Sequence, residues 1–347
     1  MRNQIKSNNI AHAYLFTGTR GTGKTTCAKI FAKAVNCLHP VNGSPCLNCE
    51  VCKALENANN MDVIEIDAAS NNSVEDIRDM RENIKFAPVD GRYKVYIIDE
   101  VHMLSPSAFN ALLKSIEEPP KHIIFILATT EVHKIPATIL SRVVRLDFRL
   151  IGVESLKNHL ENLFKKENVK IEDSASSEIA RLGEGSVRDM LSIAECVRAY
   201  ANDNITYDDV LTCMGISSRD FCKELVLNIL EKNSTKFFEN VDEQYKQGKN
   251  FALLSKEIVT YLRDMLICKT CEHPKKILNL PDKDFVSIKE IADKFVENDI
   301  FVVLGIFVSA ENEFRYASNP RILFESLGVL AMSDDEVKKK IALAKIT

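Results

Sequence analysis

The 347-residue sequence has no tryptophan, and aromatic residues make up only 7 % of it. No apolar run reaches the roughly 18 residues that a membrane-spanning helix needs, which excludes such a span. The start, MRNQIKSNN, lacks the apolar centre of a signal peptide. A cytoplasmic protein without a membrane partner is therefore expected. Neither sign of charge dominates, with a formal net charge of −4. Residues 1–150 hold 18 Lys+Arg against 16 Asp+Glu, and the remainder 27 against 33. A protein that grips DNA alone shows a far stronger basic bias, so any DNA contact is expected to need other subunits. Repeats and low-complexity tracts are missing too. What remains, 46 % hydrophobic and 27 % charged residues, is ordinary for a globular chain. Its length calls for two or three domains.

Short apolar runs at Tyr14–Thr17, Val63–Ile66, Val95–Ile98, Ile123–Ala128 and Val143–Phe148 read as strands. Helical spacing separates them. Ala28, Phe31, Ala32 and Val35 share one face, Ser73 with Asp76 marks a helix start, and Pro106–Glu117 carries another helix. Strands alternating with helices predict an α/β fold with a parallel sheet covered on both faces, over residues 1–150. Beyond Leu150 the pattern becomes amphipathic helix with almost no strand signal. Gly183 and Gly185 mark a turn between helices, and Gly215 a boundary. The expected division is 1–150, a helical segment 151–214, and a helical domain 215–347.

Residues 18–25 read GTRGTGKT: Gly18, Thr19, Arg20, Gly21, Thr22, Gly23, Lys24 and Thr25, with Thr26 following. This is the phosphate-binding loop pattern, lying between a strand and a helix. Its glycines let backbone N–H groups curl around phosphate oxygens. Lys24 supplies charge for the outer phosphates, the Thr25 hydroxyl is suited to Mg²⁺, and the helix N-terminus faces the same anion. A nucleoside triphosphate is the expected ligand.

The third strand ends in Asp99-Glu100. An aspartate there can hold Mg²⁺ through water, and the adjacent glutamate can polarise an attacking water. The bland alternative is a surface acidic pair. The fourth strand ends in Thr129-Thr130, where a hydroxyl can sense the γ-phosphate or simply finish a strand. Arg142, before the fifth strand, is either a solvated charge or an arginine finger directed at a neighbour's nucleotide. Arg188, opening a helix in GSVRDM, either reaches the phosphates or pairs with Asp189.

Ten cysteines are present, four of them at Cys37, Cys46, Cys49 and Cys52. In a reducing compartment this cluster reads as metal ligands and not disulfides. Four thiolates suit tetrahedral Zn²⁺ and leave no open position, so a structural role is expected. Cys268 and Cys271, with His273 nearby, form a weaker second pair on helical flanks.

Together these residues resemble the gamma/tau subunits of the bacterial DNA polymerase III clamp loader. The resemblance rests on AHAYLFTGTRGTGKTTCAKIFAKAVNC, the four cysteines, DAASNNSVEDIR, YKVYIIDEVHMLSPSAFNALLKSIEEPP, FILATTEVHKIPATILSR and GSVRDMLS. It is dense over residues 1–150, continues to about 214, and is weaker beyond.

The resemblance implies an AAA+ ATPase with a helical lid and an all-α collar, acting within the DNA polymerase III holoenzyme, a nucleotidyltransferase. ATP binding in a ring with delta, delta-prime and further gamma/tau copies opens the sliding clamp. Primer–template DNA then triggers hydrolysis. By similarity, Lys24 and Thr25 bind ATP and Mg²⁺, Asp99 and Glu100 are the catalytic carboxylates, Thr130 and Arg188 the two sensors, and Arg142 the finger.

Three features depart from the family pattern. The chain begins just before the first strand, without the usual upstream segment that contacts adenine, so the adenine side of the pocket is expected to be incomplete. Val143 stands where the family's Ser-Arg-Cys motif has cysteine. The chain also ends after the collar-like region. A non-enzymatic scaffold subunit and a branch-migration motor are the rival expectations. A zinc loop and an all-helical collar count against the latter.

Overall fold

The computed structural model describes residues 1–57, 60–278, 280 and 282–333. The final part of the region expected to form the third domain, 334–347, lies outside the described residues. The chain divides into two compact units, Met1–Arg198 and Ala199–Thr347.

The first unit is built on five parallel strands: β1 (Ala13–Thr17), β2 (Val63–Asp67), β3 (Lys94–Asp99), β4 (Ile123–Thr129) and β5 (Val144–Asp147). They lie in the order β2-β3-β4-β1-β5. Side chains alternate between faces along each strand. Tyr14, Phe16, Val95, Ile97, Ile124 and Ile126 pack on Ala28, Phe31, Ala32 and Val35 of one helix (Lys24–Asn36). Leu15, Tyr96, Ile98, Phe125 and Leu127 pack on the other face. Their partners are Ile77 and Met80 of a second helix (Val74–Asn83) and Leu112 and Ile116 of a third (Pro106–Glu117). Burial on both faces explains why the central strands read as continuous apolar runs.

Local chemistry sets the element ends. Ser73 and Asp76 exchange side-chain and backbone hydrogen bonds in a capping box. Ser105 caps the helix that opens on Pro106. The register pairs Thr17 with both Thr129 and Asp147, and Asp67 with Asp99. The strand C-termini thus share one edge, where parallel α/β sheets bind ligands. Three further helices, Val153–Lys166, Asp173–Leu182 and Val187–Ala201, follow the sheet. Two-residue strands at Lys170–Ile171 and Asn204–Ile205 were not expected, because two residues carry no periodicity.

The described part of the second unit is helical from Tyr207 to Met332, apart from its connections and one 3₁₀ turn. Its core centres on Phe324, whose ring centroid lies 6.1 Å from Phe237, 5.6 Å from Phe251 and 5.7 Å from Phe307. Gly328 makes room for this cluster, since a Cβ there would fall 2.1 Å from the Phe237 ring. Among the described residues no helix is long and apolar enough to cross a membrane.

Candidate nucleotide site and cysteine cage

Leaving β1, the chain turns at Gly18, Gly21 and Gly23, all with positive φ (146°, 76° and 89°). The position of Gly21 explains its identity: a Cβ would lie 1.8 Å from Ser186 Oγ. The Gly21 carbonyl accepts from the Val187 N–H at 3.0 Å. The turn is thereby tied to the start of the helix carrying Arg188. Arg188 itself is exposed beside the loop, its Cβ 3.3 Å from where a Gly21 Cβ would stand.

Thr22 Oγ1 donates to the Thr19 carbonyl at 2.8 Å. Lys24 is buried and donates through Nζ to the Gly18 and Thr19 carbonyls, both at 2.9 Å. Burial lowers the Lys24 pKa from its ordinary value, against the opposing pull of Glu100 and Asp99. An anion at the loop would offset that desolvation. Arg20 and Thr26 are exposed on the loop and on the first turn of the helix.

The acidic pair closes on the same place. Thr25 Oγ1 donates to Asp99 Oδ2 at 2.6 Å. Glu100 follows in a left-handed conformation (φ 45°, ψ 44°), an uncommon state for this residue type that concentrates at functional sites. Thr130 Oγ1 donates to Glu100 Oε2 at 3.2 Å. Lys24, Thr25, Asp99, Glu100 and Thr130 are therefore one constellation. Thr25 and Asp99 offer hard oxygen donors of the kind Mg²⁺ takes.

Arg142 is not part of it. It precedes β5, at the strands' N-terminal edge, where Nη2 pairs with Glu117 at 3.0 Å and Nη1 donates to the Thr138 carbonyl at 2.7 Å. The four residues of β5 separate it from the loop edge by about 13 Å. It lines a cleft with His12, Glu117, Glu118 and Val144.

His102 and Glu131 escaped the sequence reading. The His102 ring contacts Glu100, Thr129 and Glu131. A histidine two residues after an acidic pair carries no distinguishing spacing, so nothing in the sequence marked it.

The second candidate centre begins just past the helix Lys24–Asn36. Cys37, Cys46, Cys49 and Cys52 bring their sulfurs within 4.8 Å of one another. Among the described residues this is the one such gathering of potential metal ligands. Asn42 (φ 52°), Gly43 (φ 77°) and Leu47 (φ 62°) turn the loop back. Backbone N–H groups donate to sulfur, Cys46 to Cys37 at 3.3 Å, and Cys49 to Cys46 and Cys52 to Cys49 at 3.4 Å. The N–H of Cys52, with that of Leu38, pulls the Cys49 thiol down to about 6, while burial pushes Cys52 up to about 12. Four thiols so close do not all ionise without a cation among them. The donor set, its compactness and its N–H···S bonds fit a closed tetrahedral Zn²⁺ site.

Three family models cover most of the chain: "DNA polymerase III, delta subunit" matches residues 1–151, "DNA polymerase III clamp loader subunit, ATPase lid domain" 155–203, and "DNA polymerase III subunits gamma and tau domain III" 205–342. The gamma subunit of Buchnera aphidicola (subsp. Baizongia pistaciae) is 37 % identical over 327 residues, which cover 93 % of this chain and 88 % of that protein. The chain belongs to the gamma/tau subunit family of DNA polymerase III. The tau subunit of Bacillus subtilis is 42 % identical over 94 % of this chain and 58 % of its own length. That of Escherichia coli is 36 % identical over 93 % and 50 %. The chain thus spans about half the length of these tau relatives.

Among solved structures it is similar to the Thermotoga maritima RuvB branch migration motor, with a TM-score of 0.47 at 21 % identity over 65 % of this chain and 71 % of that one. It is also similar to the Bacillus subtilis clamp loader delta protein, with a TM-score of 0.40 at 13 % identity over 95 % and 97 %. The fold is that of a gamma/tau family AAA+ P-loop domain, with a helical lid and a further all-helical domain.

Proposed function

We propose that this chain is an ATPase motor subunit of the DNA polymerase III clamp loader, coupling ATP binding and hydrolysis to placement of the sliding clamp on primed DNA. The observation that carries this reading is the convergence of Lys24, Thr25, Asp99, Glu100 and Thr130 at one sheet edge in a gamma/tau family chain. In this role Gly18 to Thr26 cradle the ATP phosphates, with Lys24 against the outer ones. Thr25 and Asp99 hold Mg²⁺, which when bound offsets charge on those phosphates. Glu100 orients and polarises the attacking water, Thr130 reads the γ-phosphate, and Arg188 reaches the phosphates from the lid.

Arg142 acts on the nucleotide of a neighbouring subunit; its place at the opposite sheet edge supports action in trans. Residues 1–150 form the motor, 151–214 the lid, and 215–347 the collar that joins delta, delta-prime and further gamma/tau copies in the cytoplasm. Cys37, Cys46, Cys49 and Cys52 bind Zn²⁺ as a structural clip.

The test is ATP turnover by the chain assembled with delta and delta-prime, with the sliding clamp and primer–template DNA added. DNA-stimulated hydrolysis is expected, and Glu100→Gln is expected to retain ATP without turning it over. An assembled complex whose hydrolysis ignores clamp and DNA contradicts the clamp-loading role.

A further inference from the structure

One imidazole beside Glu100 has no part in the scheme above. His102 lies in a 3₁₀ turn, Val101–Met103, directly after Glu100. Its side chain is only 7 % exposed. Nδ1 is 3.1 Å from Thr129 Oγ1 and 3.3 Å from Glu100 Oε2, and Nε2 is 3.2 Å from Glu131 Oε1. One ring therefore touches the residue just past β3, the last residue of β4 and the residue two positions beyond it.

The hydrogen-bond inventory orders this contact. A carboxylate only accepts, so Nε2 carries a proton and donates to Glu131. Thr129 Oγ1 accepts from the Glu131 N–H at 3.0 Å, which leaves its hydroxyl proton to point at Nδ1. The ring is thus oriented at both nitrogens by Thr129, which ends β4, and by Glu131 just beyond it. Glu131 is anchored in turn: Lys134, bonded at 2.9 Å, leads the groups that hold its carboxyl below the usual range, with His102 and His133 adding to it. Glu100 accepts from the Thr130 hydroxyl at 3.2 Å, and Nδ1 of the fixed ring, an acceptor here, stands 3.3 Å from its Oε2 and bounds where the carboxylate can lie on that side.

We infer that His102 is a positioning residue for the ATPase step: clamped by Thr129 and Glu131, it sets where the Glu100 carboxylate stands relative to Thr130. This rests on the ATPase reading proposed above. A ring held from one strand and touching the base on the next fixes the separation of base and γ-phosphate sensor. A histidine that merely filled space would leave turnover indifferent to its nitrogens.

The experiment compares His102→Ala, His102→Leu and His102→Asn with wild type in the full chain, measuring Mg-ATP affinity, turnover in the assembled complex, and melting temperature. Affinity is expected to stay within about twofold, because the phosphate loop is untouched. Turnover is expected to fall about tenfold to hundredfold in the Ala and Leu variants. His102→Asn, whose amide reaches the Nδ1 position, is expected to recover most of it. Comparing Asn with Leu at matched melting temperature separates positioning from packing. Wild-type turnover in His102→Leu, or a loss confined to ATP affinity, overturns the positioning role alone. A wild-type chain that hydrolyses no ATP overturns the ATPase reading beneath it.

Discussion

The Thr25 hydroxyl donates to the Asp99 carboxylate across 2.6 Å, joining two motifs 74 residues apart in the chain. Strand pairing makes this meeting possible. The loop leaves the end of β1 and Asp99 ends β3, while β4 pairs with both strands.

On the proposed reading, Asp99→Asn removes a charge that Mg²⁺ needs while keeping the side chain's shape. Mg-dependent ATP affinity is expected to drop by about tenfold, roughly the 1.4 kcal/mol of one charge-assisted contact. Affinity in EDTA should be unchanged. Calorimetric titration with and without Mg²⁺ checks this, and an Asn variant with the full Mg²⁺ effect would contradict it.

Much of the candidate site is legible in the sequence, because its parts are local. The loop's glycines, the Asp99-Glu100 strand end and the cysteine spacing each lie within a short stretch. The helix over Pro106–Glu117 and the Ser73 cap were equally legible, since capping and periodicity are short-range. Contacts set by strand order were not. Glu131 reaches His102, and Gly21 meets Ser186, only because distant segments are brought to one sheet edge. The position of Arg142 at the far edge likewise depends on the parallel sense of β5 and β1.

Arg142 is bound to Glu117 and the Thr138 carbonyl, away from its own phosphate loop. Arg142→Ala is therefore expected to leave ATP affinity of the isolated chain intact. Turnover in the assembled ring should fall by about 10³ or more. Pairing each variant chain with wild-type neighbours identifies which subunit's site is silenced. Wild-type turnover in an all-variant ring would remove Arg142 from the finger role.

The cysteine cage should hold one zinc per chain, detectable by elemental analysis of protein purified without added metal. Cys37→Ser or Cys52→Ser is expected to lose the metal and open the segment between Leu38 and Glu50 to protease. The first unit should melt about 2–4 °C lower for each kcal/mol of lost metal stabilisation. Metal-free wild-type protein with a resistant loop would contradict the zinc assignment.

The most direct measurement is titration of Mg-ATP onto the purified chain and onto Lys24→Ala. Lys24 is buried, with its ammonium bonded to the Gly18 and Thr19 carbonyls and drawn toward Glu100 and Asp99, which places a positive charge inside the phosphate loop. The expected result is saturable micromolar binding to wild type that weakens by about a hundredfold or more in Lys24→Ala, the effect of removing a charged contact worth about 3 kcal/mol. Equal binding by both proteins, or none by wild type, would contradict the assignment of this edge as an ATP site.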